Sequence, residues 1–351
     1  GGLSTKLMID VDIQDVNDNS PKFVNTLPIS DSSEPSYKIE ISESLPLNSH
    51  IFQVRATDDD TGNNARLTYS LINDPLSEDV FAIFPNNGMI YLKKPLDRET
   101  KDSYHLTIKV NDHGSSLSLS ASAKMTIKIL DANDNRPVFT SKDWTFSISE
   151  DAPLGIFIGQ ISATDADLGN NCSLRYNISN GFIYESNLFQ LNPVTGKIYL
   201  KALLDREIKD RYIFKVEVHD QGTPYELFSE EKSTIIIDVL DINDNSPTFV
   251  GDETESELQK LIPLGSPEGT FITTVKAIDP DNGSNGTVYY SLVDSEHSKW
   301  FKIGKTSGII KTNRKIEEVS SYQVGIKAID GGGNKSQVKF IKIDVVQKKT
   351  K

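Results

Sequence analysis

Asp15-Val16-Asn17-Asp18-Asn19-Ser20-Pro21 returns as Asp131-Ala132-Asn133-Asp134-Asn135-Arg136-Pro137 and again as Asp241-Ile242-Asn243-Asp244-Asn245-Ser246-Pro247, at spacings of 116 and 110 residues. Each copy offers carboxylate or amide oxygens at almost every position and contains no histidine or thiol. That is a ligand set for a hard cation, whereas zinc favours nitrogen and sulfur. Ca²⁺ takes about six to eight oxygens in irregular geometry, which a linker supplies more readily than the strict octahedron of Mg²⁺. The closing proline fixes φ and limits how far the linker can wander.

Further oxygens recur at matching places. Asp58-Asp59-Asp60-Thr61-Gly62-Asn63-Asn64 corresponds to Asp165-Ala166-Asp167-Leu168-Gly169-Asn170-Asn171 and to Asp279-Pro280-Asp281-Asn282-Gly283-Ser284-Asn285. Leu96-Asp97-Arg98-Glu99 returns as Leu204-Asp205-Arg206-Glu207, and Asp112, Asp220 and Asp330 each stand late in their segment. Glu43 and Glu150 each lie fifteen residues before an Asp-x-Asp pair. One such motif alone is what a turn would contain. Recurrence of the whole set, in order, points to metal.

The elements that must position these groups are strands. Leu106, Ile108 and Val110 alternate with polar residues, as do Met125, Ile127 and Ile129; Tyr212, Phe214, Val216 and Val218; and Tyr322, Val324, Ile326 and Ala328. Such alternation buries one face of a sheet. Pro85-Asn86-Asn87-Gly88, Pro193-Val194-Thr195-Gly196 and Thr306-Ser307-Gly308 read as turns between them. No long helical stripe is present. About seven short strands per roughly 100 residues predicts an all-β chain of tandem seven-stranded Greek-key, immunoglobulin-like β-sandwiches, here expected to be antiparallel. The expected boundaries are 1–21, a last strand and linker of a preceding repeat, then repeats at 22–137, 138–247 and 248–351. Leu7, Ile9, Val11 and Ile13 would be that last strand, left without its sheet.

Composition narrows the function. With 50 acidic against 37 basic residues the formal charge is −13, the wrong sign for nucleic acid or anionic lipid. No apolar run reaches the roughly 18 residues of a membrane span, no signal peptide opens the chain, and Gly1-Gly2 reads as a cloning remnant on a piece of something larger. Cys172 is the only cysteine, so no internal disulfide is possible, and the five histidines show no metal or catalytic spacing. The sequons at Asn171, Asn177, Asn282, Asn285 and Asn334 favour an extracellular setting. Paired carboxylates also serve glycosidases, but such a site occurs once in a cleft rather than at every boundary. With no nucleophile elbow, phosphate loop or zinc motif, an enzyme is not expected.

Across residues 3–345 the chain resembles tandem extracellular cadherin repeats. The resemblance implies calcium between successive repeats, about three ions per junction, held by both repeats and the linker. By position, the first complete junction would use Glu43, Asp97, Glu99, Asp131, Asn133, Asp134, Asn135, Asp165, Asp167, Asn171 and Asp220. The second would use Glu150, Asp205, Glu207, Asp241, Asn243, Asp244, Asn245, Asp279, Asp281, Asn285 and Asp330. At a partial junction, Asn17, Asn19, Asp58, Asp60, Asn64 and Asp112 would hold one more ion. The resemblance also implies a glycoprotein at the cell surface, its parent anchored in the plasma membrane by a segment outside this chain. The expected partners are other cadherin ectodomains, homophilic or heterophilic. Eight carboxylates meet at the first complete junction, and two unit charges about 4 Å apart repel by about 4 kcal/mol at an effective dielectric near 20. Calcium is therefore expected to stiffen the array, and its removal to splay it.

The pattern breaks in the third repeat. Leu264 stands where the others have glutamate, the Leu-Asp-Arg-Glu region reads Arg314-Lys315-Ile316-Glu317-Glu318, and the last strand ends without Asn-Asp-Asn. All three pieces belong to the junction after that repeat, which is expected to bind little or no calcium, as a flexible bend or the end of the array; Glu257 or Glu268 brought into the gap would not restore the other two pieces. Trp144 and Trp300 read as packing residues rather than exchanged anchors, because Trp144 shares the slot of Tyr37 and Trp300 precedes Phe301, the counterpart of Phe81 and Phe189.

Overall fold

A computed structural model describes residues 2–26, 34–72, 79–251 and 258–347. It divides into two compact units: Gly1–Val138 with Ala163–Arg175 and Val218–Glu230, and Phe139–Ser162 with Tyr176–Glu217 and Glu231–Lys351.

In the first unit the predicted alternation becomes a sheet in the order Ser36–Ser42, Ser120–Leu130, Ser103–Asn111, Thr68–Ile72. It faces a second sheet ordered His50–Gln53, Met89–Leu92, Phe81–Ile83. Tyr104, Leu106, Ile108 and Val110 pack with Met125, Ile127 and Ile129 from one sheet, and with Val54, Phe81, Ile90 and Leu92 from the other. The expectation of a wholly antiparallel sandwich is corrected at one pair. Ser36–Ser42 runs parallel to Ser120–Leu130, with Ile39 opposite Ile127 and Ser42 opposite Leu130. Both strands therefore end together, which delivers Glu43 to the start of the linker.

The second unit repeats the plan. Asp143–Ser149 runs parallel to Ser233–Leu240, which pairs antiparallel with Arg211–His219. Leu258–Pro263 runs parallel to Lys339–Val346, which pairs antiparallel with Ser321–Ile329. One aromatic pair recurs in each core at an edge-to-face angle: Phe81 with Tyr104 at 5.1 Å, Phe189 with Tyr212 at 5.4 Å, and Phe301 with Tyr322 at 5.4 Å. Trp300 packs against Tyr322 under the Arg314 guanidinium, and Trp144 stacks on Phe146, so both tryptophans are packing residues. The short helix Ile183–Leu188 had no signal in the pattern, because six residues are too few for a helical stripe. None of the helices among the described residues is long and apolar enough to cross a membrane.

Residues 2–21 form no strand, and Leu7, Ile9, Val11 and Ile13 are exposed. An extended segment without a neighbour leaves its N–H and C=O groups to water, so alternation alone does not make a strand.

The turn glycines show how closely the sheets are drawn together. Gly196 has φ +67° and a Cβ there would stand 2.4 Å from the Ile161 carbonyl oxygen; Gly155 has φ +79° with open space around it. Gly155→Ala should cost only the left-handed strain, about 1 kcal/mol, and Gly196→Ala about 2 kcal/mol or more, because backbone cannot yield. Urea midpoints of the two variants check this, and equal losses would refute it.

Candidate metal centres

Glu43 and Glu150 are buried at the ends of their strands. The Glu43 N–H donates to the Leu130 carbonyl at 3.1 Å, while its Oε1 accepts from Ala132 N–H at 2.7 Å and its Oε2 from Arg98 N–H at 2.6 Å. Glu150 repeats all three contacts with Leu240, Ile242 and Arg206. Each glutamate is thus tied to both the linker and the Leu-Asp-Arg-Glu turn. In that turn Asp97 accepts from the Thr100 N–H and hydroxyl, and Asp205 from the Ile208 N–H.

The Asp-x-Asp loops close the same way three times. Asp58, Asp165 and Asp279 each accept the N–H of the second aspartate at 3.1 Å. That second aspartate is buried and accepts two bonds from a linker asparagine: Asp60 from Asn19, Asp167 from Asn135, and Asp281 from Asn245. The late aspartates accept backbone N–H groups on Oδ1: Asp112 from Gly114 and Leu119, Asp220 from Gly222 and Leu227, Asp330 from Gly333 and Asn334. The carboxamide of Asn133 donates to Tyr225 O at 2.7 Å and that of Asn17 to Leu117 O at 2.7 Å.

What these bonds leave over decides the chemistry. Asp58 Oδ2, Asp165 Oδ2, Asp279 Oδ2 and Asp330 Oδ2 are buried with no hydrogen-bond donor, as are Asn17 Oδ1, Asn133 Oδ1 and Asn243 Oδ1. Every one is an acceptor at a predicted position, and a buried charged acceptor left unpaired is costly. Oxygen acceptors lacking donors fit a hard cation.

Among the described residues, four acidic triads have oxygens within 4.8 Å of one another: Glu43–Glu99–Asp131, Glu150–Glu207–Asp241, Glu207–Asp244–Asp281 and Asp279–Asp281–Asp330. Desolvation raises the pKa of Asp279, with further lifting by the charges of Asp281, Asp330 and Asp241. Desolvation also leads the upward shifts of Asp134, Asp165, Asp167, Glu99, Glu207 and Asp244, each with help from neighbouring carboxylates. Asp97 is held low by the Thr100 N–H and hydroxyl. Against burial, which pushes it up, Asp112 is held low by donors from Gly114, Asn17 and Leu119.

Sequence reasoning missed two members of these centres. Arg98 and Arg206 lie inside the first two triads, with Nε 2.6 Å from Asp131 Oδ1 and 2.5 Å from Asp241 Oδ1. Their recurrence in Leu-Asp-Arg-Glu was the available signal, overlooked because a cation is not a ligand. Asn64, Asn171 and Asn285 turn their Nδ2 toward Asp15, Asp131 and Asp241, leaving Oδ1 or the backbone carbonyl for other use. Of the five sequon asparagines, Asn177 and Asn282 are exposed, whereas Asn171, Asn285 and Asn334 have Nδ2 in hydrogen bonds. The Cys172 thiol donates to Gly169 O at 3.4 Å.

In the third repeat Leu264 N–H donates to Val346 O at 2.8 Å, the same contact that places Glu43 and Glu150. Leu264 packs on the core there, Val319 occupies the slot of Glu99, and Glu268 pairs with Lys302. Glu257 lies outside the described residues.

A family model described as the cadherin domain matches residues 37–130, 144–240 and 262–346. Protein dachsous of Drosophila melanogaster is 39% identical over 361 residues, spanning 98% of this chain and 10% of that protein. Protocadherin Fat 4 of Mus musculus is 35% identical, spanning 94% of this chain and 6% of its own length. Mouse cadherin-23 EC22-24 superposes with a TM-score of 0.76 at 26% identity, covering 94% of this chain and 100% of that structure. The chain spans about a tenth or less of these curated relatives.

Proposed function

This chain belongs to the cadherin family, whose members are not enzymes, and we propose that it is a calcium-stiffened stretch of a cell-surface adhesion or recognition ectodomain. The observation that carries the reading is the set of buried, donorless oxygens at the boundaries, above all Asp58, Asp165 and Asp279 Oδ2, which recur at equivalent positions. They suit Ca²⁺ because every available group is a hard oxygen and the centres contain no imidazole or thiolate.

In the first complete junction Glu43, Asp97, Glu99, Asp131, Asn133, Asp134, Asn135, Asp165, Asp167, Asn171 and Asp220 would hold the ions. In the second the holders would be Glu150, Asp205, Glu207, Asp241, Asn243, Asp244, Asn245, Asp279, Asp281, Asn285 and Asp330. About three ions each is the family's usual complement. Bound calcium would neutralise the carboxylates and fix linker to loop. Asn17, Asn19, Asp58, Asp60, Asn64 and Asp112 would hold a further ion. The junction after the third repeat, with Leu264 and Val319 in place of carboxylates, would hold none. The repeat boundaries 22–137, 138–247 and 248–351 go with this reading.

Small-angle scattering in millimolar calcium and in chelator tests it. The expected result is a larger radius of gyration with a sharper distance distribution in calcium, loosening on chelation. Superimposable curves would remove calcium-gated stiffness. A second reading, a heterophilic signalling or mechanical spacer segment, is favoured by the small share of its long relatives that this chain spans. Beads coated with the chain are expected to aggregate in calcium if contact is homophilic, and to stay dispersed if it serves as a spacer.

A further inference from the structure

Charge is unevenly distributed along the chain. Residues 1–247 carry 37 acidic against 22 basic residues, and residues 248–351 carry 13 against 15. In the first span 16 of the acids are proposed calcium ligands, which leaves 21 others against the 22 bases. The basic groups of the second span concentrate in residues 297–316. There Lys299, Lys302, Lys305, Lys311, Arg314 and Lys315 occur without one aspartate or glutamate. The matching span 77–96 holds two acidic and two basic residues, and 185–204 holds one and two.

The span forms two strands of a sheet ordered Phe271–Thr274, Ile309–Thr312, Phe301–Ile303. Phe301 and Ile310 are buried in the core, so the period of two turns Lys302 and Lys311 outward. The register sets these two lysines directly opposite each other. Like charges so placed are destabilising, and the fold does not require them: the same pair is Ala82 with Tyr91 in the first repeat and Gln190 with Tyr199 in the second. Arg314 lies over the Trp300 ring at 4.7 Å and Lys305 over the Tyr289 ring at 4.9 Å, contacts that hold both cations at the surface. All six basic residues are exposed. Lys302 pairs with Glu268 at 2.9 Å and Lys315 with Glu317 at 3.8 Å, exposed pairs that a stronger anion can displace. Among the described residues, Lys299, Lys305, Lys311 and Arg314 have no carboxylate partner.

We propose that this face of the third repeat binds a sulfated polysaccharide. A linear polyanion laid across a row of cations releases its condensed counterions, and that release drives binding without a pocket. Five of the six cations are lysines, point charges on flexible stems that suit sulfates presented in varied orientations. A second copy of this chain would need a surplus acidic surface, and outside the calcium sites residues 1–247 are close to balanced. Anionic lipid concentrates in the cytoplasmic leaflet, whereas the proposed function, on which the choice of ligand rests, sets this chain outside the cell.

Retention of the full chain on immobilised heparin, in calcium at physiological salt, tests the proposal. Lys302→Gln combined with Lys311→Gln is expected to weaken binding about tenfold or more, with no loss of melting temperature. Lys124→Gln combined with Lys128→Gln removes the same charge from exposed positions of the first repeat and should leave binding unchanged. Desulfated heparin should not retain the chain. Should the first double variant fail to fold, Lys299→Gln with Lys305→Gln gives the same comparison. No retention of the unsubstituted chain, or equal losses from the two lysine pairs, overturns the proposal. Equal retention on phosphatidylserine vesicles would assign the face to lipid, and self-association abolished by Lys302→Gln with Lys311→Gln would assign it to a second copy; either result also overturns it. If scattering is unchanged by chelator while heparin still binds through these lysines, calcium-gated stiffness falls and this surface stands.

Discussion

Acidification from pH 7 to pH 5 should raise the melting temperature of this protein in chelator and lower it in calcium. In chelator the governing groups are Asp134, Asp165, Asp167, Asp244, Asp279, Glu99 and Glu207, whose pKa values are raised by desolvation first and by neighbouring carboxylates second. A carboxyl with a raised folded pKa binds more protons folded than unfolded, so stability falls as pH rises through the window above the ordinary values of 3.8 and 4.5. Asp97 and Asp112, held low, act in the opposite sense but only below about pH 4, outside the range compared. With calcium bound the same carboxylates must be ionised, protons compete with the ion, and the slope reverses. Shifts of about 5 °C in each direction are expected from a change of this kind. Calorimetry at pH 5, 6 and 7 in the two buffers checks the reversal, and parallel slopes would contradict it.

Asp281→Asn should have the largest effect of any single substitution at the second junction, again with opposite signs in the two buffers. Asp281 belongs to two acidic triads, with Glu207 and Asp244 and with Asp279 and Asp330. Its two oxygens accept from the Asn245 N–H and Nδ2 at 3.3 and 2.8 Å. An asparagine keeps the shape and one acceptor oxygen but removes the charge shared by both triads. Loss of one charged contact to a divalent ion weakens affinity by about 10- to 100-fold. In chelator the same substitution relieves like-charge repulsion, so the apo protein should be no less stable and slightly more so. Asp238→Asn, which disturbs only an exposed pair with Arg211, should leave calcium binding unchanged. Titration calorimetry of the three proteins separates the cases. Equal affinities for Asp281→Asn and the unsubstituted chain would remove Asp281 from the site.

Much of this was legible in one dimension. Alternation located the long strands because a half-buried sheet imposes a period of two on any sequence that forms it. Leu106, Ile108 and Val110 fall on the buried face as that period requires. The turns at Gly88, Gly196 and Gly308 were legible because only glycine takes their positive φ without strain. The acidic positions were legible through repetition, and Glu43, Glu150, Asp167 and Asp281 each bond a linker residue. Leu264 was legible as a break, and its N–H makes the very contact that its glutamate counterparts make.

Other features depend on what a segment meets after the chain folds. Leu7, Ile9, Val11 and Ile13 alternate as well as any strand, yet they form none among the described residues, because a strand is defined by a partner's hydrogen bonds. The parallel pairing of Ser36–Ser42 with Ser120–Leu130 joins segments about eighty residues apart, and no local pattern specifies the direction of such a pair. The allocation of carboxylate oxygens is likewise tertiary. Asp131 and Asp165 look alike in the sequence, but Asp131 gives Oδ2 to Leu168 and Asn171 and sets its buried Oδ1 beside the Arg98 guanidinium, whereas Asp165 gives Oδ1 to the Asp167 N–H and leaves its buried Oδ2 with no donor. Residue types and their spacing thus determined that oxygen clusters would recur at the repeat boundaries. Which oxygens were left free for a cation was decided only when distant donors arrived, because a hydrogen bond depends on distance and angle in space and not on separation along the chain.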